Sequence, residues 1–151
     1  MELDDITGAI VDASIRIHRE LGPGLLESVY ELVLSRDLER RGLRVERQFP
    51  VSFSFDGMHF EDAFRVDLLV EQRVIVELKC VDRLAPVHGK QVLTYLRLTN
   101  LKVGLLLNFG AGTMVDGLKR IVNDLDPSAS PRLRVNQRRS SIAQAESSTA
   151  S

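Results

Sequence analysis

Glu77 and Lys79 stand two residues apart in Val74-Ile75-Val76-Glu77-Leu78-Lys79, a run that is otherwise apolar. Successive side chains on a strand point to opposite faces. The carboxylate and the amine therefore share one face, while Val74, Val76 and Leu78 share the other. Unpaired buried charge is costly, so packing alone gives no reason for two charged groups there. A second strand-like run, Phe64-Arg65-Val66-Asp67-Leu68-Leu69-Val70, precedes it and carries one acid, Asp67. An Asp on one strand with Glu-x-Lys on the next suits metal-dependent phosphodiester hydrolysis. Hard carboxylate oxygens hold Mg²⁺ or Mn²⁺, and an amine beside the cation orients water or meets the developing charge.

Two helices offer further groups. Glu27, Glu31, Leu34 and Leu38 recur at spacings of four, three and four, one face of a helix whose leucines point inward. A carboxylate at the start of that face can meet Asp67 and Glu77 at the sheet edge. It can equally do no more than complement the positive end of the helix dipole. A later helix presents His88, Gln91 and Tyr95 on one face; an amide and a phenol so spaced either bind phosphate or simply pack. Glu-x-Lys alone arises by chance about once in every few chains of this length. The joint order of helix Glu, strand Asp, strand Glu-x-Lys and helix Gln-x-x-x-Tyr is far more restrictive.

The elements that must position these groups are marked by clear punctuation. Ile6, Ile10, Ala13 and Ile17 predict a first helix, with Asp4 or Asp5 as its N-cap. Gly22-Pro23-Gly24 breaks it, and a second helix is predicted from about residue 25 to Arg41, ended by Gly42. Strands are predicted at 44–48, 51–55, 60–70 and 74–79, with Asp56-Gly57 as a hairpin turn and Glu71-Gln72-Arg73 as a short one. A third helix over about 87–99, a strand over 102–108 and a closing helix over 115–123 complete an α/β domain, a mixed β-sheet flanked by α-helices.

Composition narrows the class. The 151 residues are 44% hydrophobic, enough for a domain with a real core. No apolar run approaches the roughly 18 residues of a membrane span, and the acidic start Met1-Glu2-Leu3-Asp4-Asp5 does not resemble a signal peptide. The single cysteine, Cys80, cannot form an internal disulfide, so a cytoplasmic location is expected. As a neighbour of the Glu-x-Lys strand it reads as a small packed residue. The three histidines, His18, His59 and His88, lack zinc-ligand spacing, and no Walker-type phosphate loop is present. Twenty Lys and Arg against 21 Asp and Glu argue against tight, non-specific DNA binding, although a bound cation would offset acids at a site. Residues 126–151 contain seven Ser, two Pro and four Arg (Arg132, Arg134, Arg138, Arg139), and read as a disordered tail after a domain spanning 1–125.

The string Gly24-Leu25-Leu26-Glu27-Ser28-Val29-Tyr30 resembles the motif that names the GxxExxY family, a branch of the PD-(D/E)xK nuclease superfamily. The likeness continues through Ile75–Lys79, Leu84–His88, Gln91–Leu96 and Val103–Phe109, and covers about residues 5 to 123. It implies a restriction-endonuclease-like core with Glu27, Asp67 and Glu77 as ligands of Mg²⁺ or Mn²⁺. It also implies that Lys79 contacts the attacking water or the scissile phosphate. Gln91 and Tyr95 resemble the auxiliary motif of the superfamily's exonuclease branch. Val66 stands where proline would precede the acid, and Gly89 where many relatives carry an acidic residue.

Two functions are consistent with this pattern. One is a metal-dependent nuclease acting on DNA or RNA, favoured by the intact Glu27, Asp67, Glu77 and Lys79. The other is a catalytically silent module of the same fold that binds nucleic acid or a protein partner. Domains of this kind often pair to cut two strands, so a homodimer stays open.

Overall fold

Isoleucines on one stripe start the architecture. The structure, a computed structural model, describes residues 1–124 and 133–137. Helix α1 (Leu3–Leu21) turns Ile6, Ile10, Ala13 and Ile17 into the core, as predicted. It begins ahead of the expected caps: Asp5 lies in the first turn, where its Oδ2 accepts the Glu2 N–H at 3.2 Å. Gly22 and Gly24, at φ 71° and 109°, take left-handed conformations that side chains disfavour, and the chain reverses into α2 (Glu27–Arg40). Tyr30, Leu34 and Leu38 are the buried apolar stripe of α2.

Strand β1 (Val45–Phe55) turns through Asp56-Gly57, both at positive φ, into β2 (Met58–Val70), the tight hairpin that Asp-Gly predicts. The three-residue turn Glu71-Gln72-Arg73 leads to β3 (Val74–Lys79). Helix α3 (Pro86–Thr99) then carries the chain over to β4 (Val103–Asn108), which pairs with β3 in parallel. Such a pair requires a crossover of this length. The short α4 (Met114–Gly117) precedes β5 (Leu118–Val122), and β6 (Leu133–Gln137) pairs with the outer edge of β1. The sheet order is β5-β4-β3-β2-β1-β6, all antiparallel except β3–β4. This is the expected mixed α/β sheet flanked by helices. One core lies between the sheet and α1/α2, and a second lies under α3.

Three segments differ from the sequence expectation. The predicted closing helix over 115–123 is mostly strand. Its apolar spacing at Val115, Leu118 and Ile121 mimics a helix, but the buried strand β4 needs a backbone partner on its free edge. Gly117 makes the bend, because a Cβ there would sit 2.4 Å from the Asn108 carbonyl oxygen. The two predicted strands 44–48 and 51–55 are one strand, bent at Gln48, whose φ is 49°. Within the expected tail 126–151, residues 133–137 form β6, and the remainder lies outside the described residues.

The register of the β1–β2 hairpin decides which residue of β1 faces Asp67. Phe55↔Met58 and Phe53↔Phe60 are in simple turn register, but beyond an irregularity Val51 faces Phe64 and Phe49 faces Val66. Two extra residues in β2 are taken up around Asp62, at φ 46°, whose N–H donates to Ser52 Oγ at 2.9 Å.

Candidate active site

The β2–β3 ladder stops at Leu68↔Val76, and the site begins where it stops. Beyond that rung the strands give up backbone pairing, while β3 stays paired with β4 as far as Lys79↔Asn108. Two backbone N–H groups are thereby left without ladder partners, and the acids accept both. The Asp67 N–H donates to Glu77 Oε1 at 3.0 Å, and the Leu78 N–H donates to Asp67 Oδ2 at 2.9 Å. The predicted strand Asp and Glu are thus brought together across the opening, each fixed by the other's strand.

Burial makes that pair electrostatically tense. Glu77 is only 5% exposed. Its pKa is pushed up to about 8 by burial and by repulsion from Asp67, against the opposing pull of the Asp67 N–H and Lys79. Glu27, the first residue of α2, is raised too: first by partial burial, then by Asp67, with Lys79 pulling it back. Asp67 and Lys79 thus act electrostatically on both Glu77 and Glu27, which brings the four residues singled out from the sequence into one region. Among the described residues no three acids, histidines or cysteines converge as a ready-made metal cage. The arrangement is a tight Asp67–Glu77 pair with Glu27 within electrostatic reach. Two hard carboxylates whose repulsion raises proton affinity form a donor set that a divalent cation would relieve, so these residues fit the metal.

Lys79 is half-buried, and its ammonium makes no hydrogen bond or ion pair among the described residues. It is held from behind, since its carbonyl accepts the Phe109 N–H at 2.8 Å. Asn108 pins the segment just beyond it on both sides. Its Oδ1 accepts the Val81 N–H at 3.0 Å, and its Nδ2 donates to the Val81 carbonyl at 2.8 Å. Gly110 completes the clamp, because a Cβ there would lie 2.4 Å from the Val81 carbonyl oxygen.

Of the two predicted α3 residues, Tyr95 is tied to the acids and Gln91 is not. Burial, then Glu77 and Asp67, raise the Tyr95 hydroxyl's pKa, and its ring stacks on Phe64 with centroids 4.1 Å apart. Gln91 is exposed one turn earlier and has no hydrogen bond among the described residues. His88 caps α3 through Nδ1, which accepts the Ala85 N–H at 3.0 Å. His18 is buried with Nε2 2.8 Å from the Ala111 carbonyl, a structural contact. The Cys80 thiol is pushed up by burial and by Glu27, which disfavours a nucleophilic thiolate.

Sequence reasoning missed several supports. The Tyr30 hydroxyl donates to the Gly22 carbonyl and accepts the Leu25 N–H at 3.2 Å, and its ring stacks on Phe109 at 4.4 Å. One buried tyrosine thus ties the loop that delivers Glu27 to the strand end that pairs with Lys79. Glu31 is buried and receives Gln48 Nε2 at 2.6 Å and Arg47 at 3.4 Å. Gln48 Nε2 also reaches Asp67 Oδ1 at 3.3 Å. Nothing local marks Gln48; only the shifted register sets it opposite Asp67.

The chain belongs to the PD-(D/E)XK nuclease superfamily, whose profile matches residues 4–121. The mixed sheet with its flanking helices is that superfamily's restriction-endonuclease-like α/β fold. No curated protein and no solved structure gives a significant match. Superfamily membership implies a nucleic-acid partner and a divalent metal. No helix among the described residues is long and apolar enough to cross a membrane.

Proposed function

We propose that this protein is a nuclease of the GxxExxY branch, hydrolysing phosphodiester bonds in DNA or RNA. The observation that carries the proposal is the Asp67–Glu77 pair at the opening of the β2–β3 ladder, with the uncommitted ammonium of Lys79 on the same strand. Asp67 and Glu77, with Glu27 in electrostatic reach, would hold a divalent cation, Mg²⁺ or Mn²⁺, which would supply Lewis acidity at the phosphate and a more acidic water. Lys79 donates to a phosphate oxygen or orients the water, stabilising charge as it develops. Tyr95, steadied by Phe64, offers a hydroxyl donor beside the acids. Gln91, exposed on the same helix, is assigned to substrate contact on the likeness of its motif alone. A reducing cytoplasm suits the lone free Cys80. The proposed domain is residues 1–125, to whose sheet residues 133–137 add the edge strand β6.

A second function, a silent binding module, is favoured by one observation. Asp67 and Glu77 also complete backbone hydrogen bonds and so have structural work independent of catalysis. The deciding assay is cleavage of labelled single- and double-stranded DNA and RNA with Mg²⁺ or Mn²⁺. Wild type is compared with Asp67→Ala and Lys79→Ala. Metal-dependent cutting by wild type, lost in both variants, is expected. Lys79→Ala is the cleaner variant, because Asp67→Ala also strands the Leu78 N–H. Equal cutting by wild type and Lys79→Ala would sink the nuclease proposal. Binding without cutting would establish the silent module.

A further inference from the structure

We infer that Gln48 is a positioning residue that fixes the Asp67 carboxylate for the cation, an assignment that rests on the proposed metal-dependent function. Two independent observations meet at this side chain. The first is its backbone: Gln48 sits within β1 at φ 49°, a left-handed conformation that side chains other than glycine's disfavour. Strain of this kind persists where the surrounding structure demands it. The second is its amide, whose Nε2 donates to Glu31 Oε1 at 2.6 Å and Asp67 Oδ1 at 3.3 Å. Both partners are carboxylate acceptors, so the amide must face them with its NH₂.

The strain and the bridge are one device. Arg47 pairs with Leu68 and Phe49 with Val66, so Gln48 and Asp67 face each other between those rungs. Across this point the alternation of β2 breaks. Val66 enters the core under α3, whereas Leu68 enters the core under α1 and α2. The bend at Gln48 accommodates that reversal and lets a single amide reach both α2 and β2. Asp67 is then held at both oxygens, Oδ2 by the Leu78 N–H and Oδ1 by Gln48. Groups that orient a ligand carboxylate in this way typically change metal affinity about 10–100-fold when removed.

Gln48→Asn separates the two roles. Asparagine tolerates positive φ better than glutamine, but its amide is one methylene too short to bridge Glu31 and Asp67. Gln48→Gly relieves the backbone fully and removes the amide. Three quantities are read on the full chain: urea stability, Mn²⁺ affinity by calorimetry, and hydrogen exchange of the Leu78 amide without metal. Relief of the backbone and loss of the Glu31 hydrogen bond oppose each other in urea stability, which serves to show that both variants fold. Their Mn²⁺ affinity is expected to fall about 10-fold or more. Leu78 exchange is expected to quicken as Asp67 loosens. Unchanged Leu78 exchange overturns the assignment, whether or not Mn²⁺ binds. If wild type binds no Mn²⁺ yet Leu78 exchange quickens in both variants, the positioning role stands and the metal-dependent function fails.

Discussion

Glu77→Gln is expected to make the metal-free protein more stable while abolishing cleavage. The folded state holds a proton on Glu77 with a pKa of about 8, whereas the unfolded chain releases it at 4.5. Between those values the folded state binds more protons than the unfolded one, so stability falls as pH rises. The contribution is fully present below pH 4.5, declines through the window and is lost above about 8. At about 1.4 kcal/mol per pH unit, wild type forfeits about 3 kcal/mol by pH 7 and about 5 kcal/mol above pH 8. Glutamine keeps an oxygen for the Asp67 N–H and an NH₂ for the Asp67 carboxylate, and carries no charge to desolvate. Urea unfolding in chelator from pH 5 to 9, at fixed ionic strength, gives the difference between the two proteins. That difference should be small at pH 5 and grow to several kcal/mol at pH 8. A difference that stays flat across the window would refute the assignment of a strained carboxyl to Glu77. Saturating Mn²⁺ should reverse the order, because wild type then gains binding energy that the variant cannot.

Two further substitutions probe the supports of the site. Tyr30→Phe keeps the stack on Phe109 but strands the Gly22 carbonyl and the Leu25 N–H, at a cost of about 1–3 kcal/mol in urea unfolding. Cleavage should fall along with it, since Glu27 follows that loop; unchanged stability would show that the hydroxyl is dispensable. Gly110→Ala drives a methyl into the Val81 backbone and should lower the melting temperature by several degrees, about 1–3 kcal/mol of overpacking. A variant melting like wild type would mean that the Asn108–Val81 clamp yields freely.

Much of the fold was legible because its signals were local. Isoleucine spacing marked α1, Asp56-Gly57 marked the hairpin, and apolar runs marked β3 and β4. Asp67, Glu77 and Lys79 were legible for the same reason, as charges in strands that otherwise read as core. The segment Leu118–Val122 was misread because its apolar spacing fits a helix, and only the open edge of β4 decides for strand. Gln48 was hidden by register. Counting back from Asp56-Gly57 in simple register places Asp67 opposite Glu46, and the irregularity between Val51 and Phe53 replaces Glu46 with Gln48. Gln91 was grouped with Tyr95 by helix spacing, which fixes a face but not how far along it the acids reach.

The opened ladder has an evolutionary consequence. Asp67 and Glu77 each stopper a backbone amide that the parting strands would otherwise leave dry and unmet. A chain of this fold without catalysis would still be penalised for discarding either acid, so the pair by itself does not mark an active enzyme. The Lys79 ammonium has no such anchor among the described residues, so no backbone hydrogen bond there depends on keeping it. If the proposed cleavage is this chain's activity, loss of the amine rather than of the carboxylates is the expected sign of its loss in a relative.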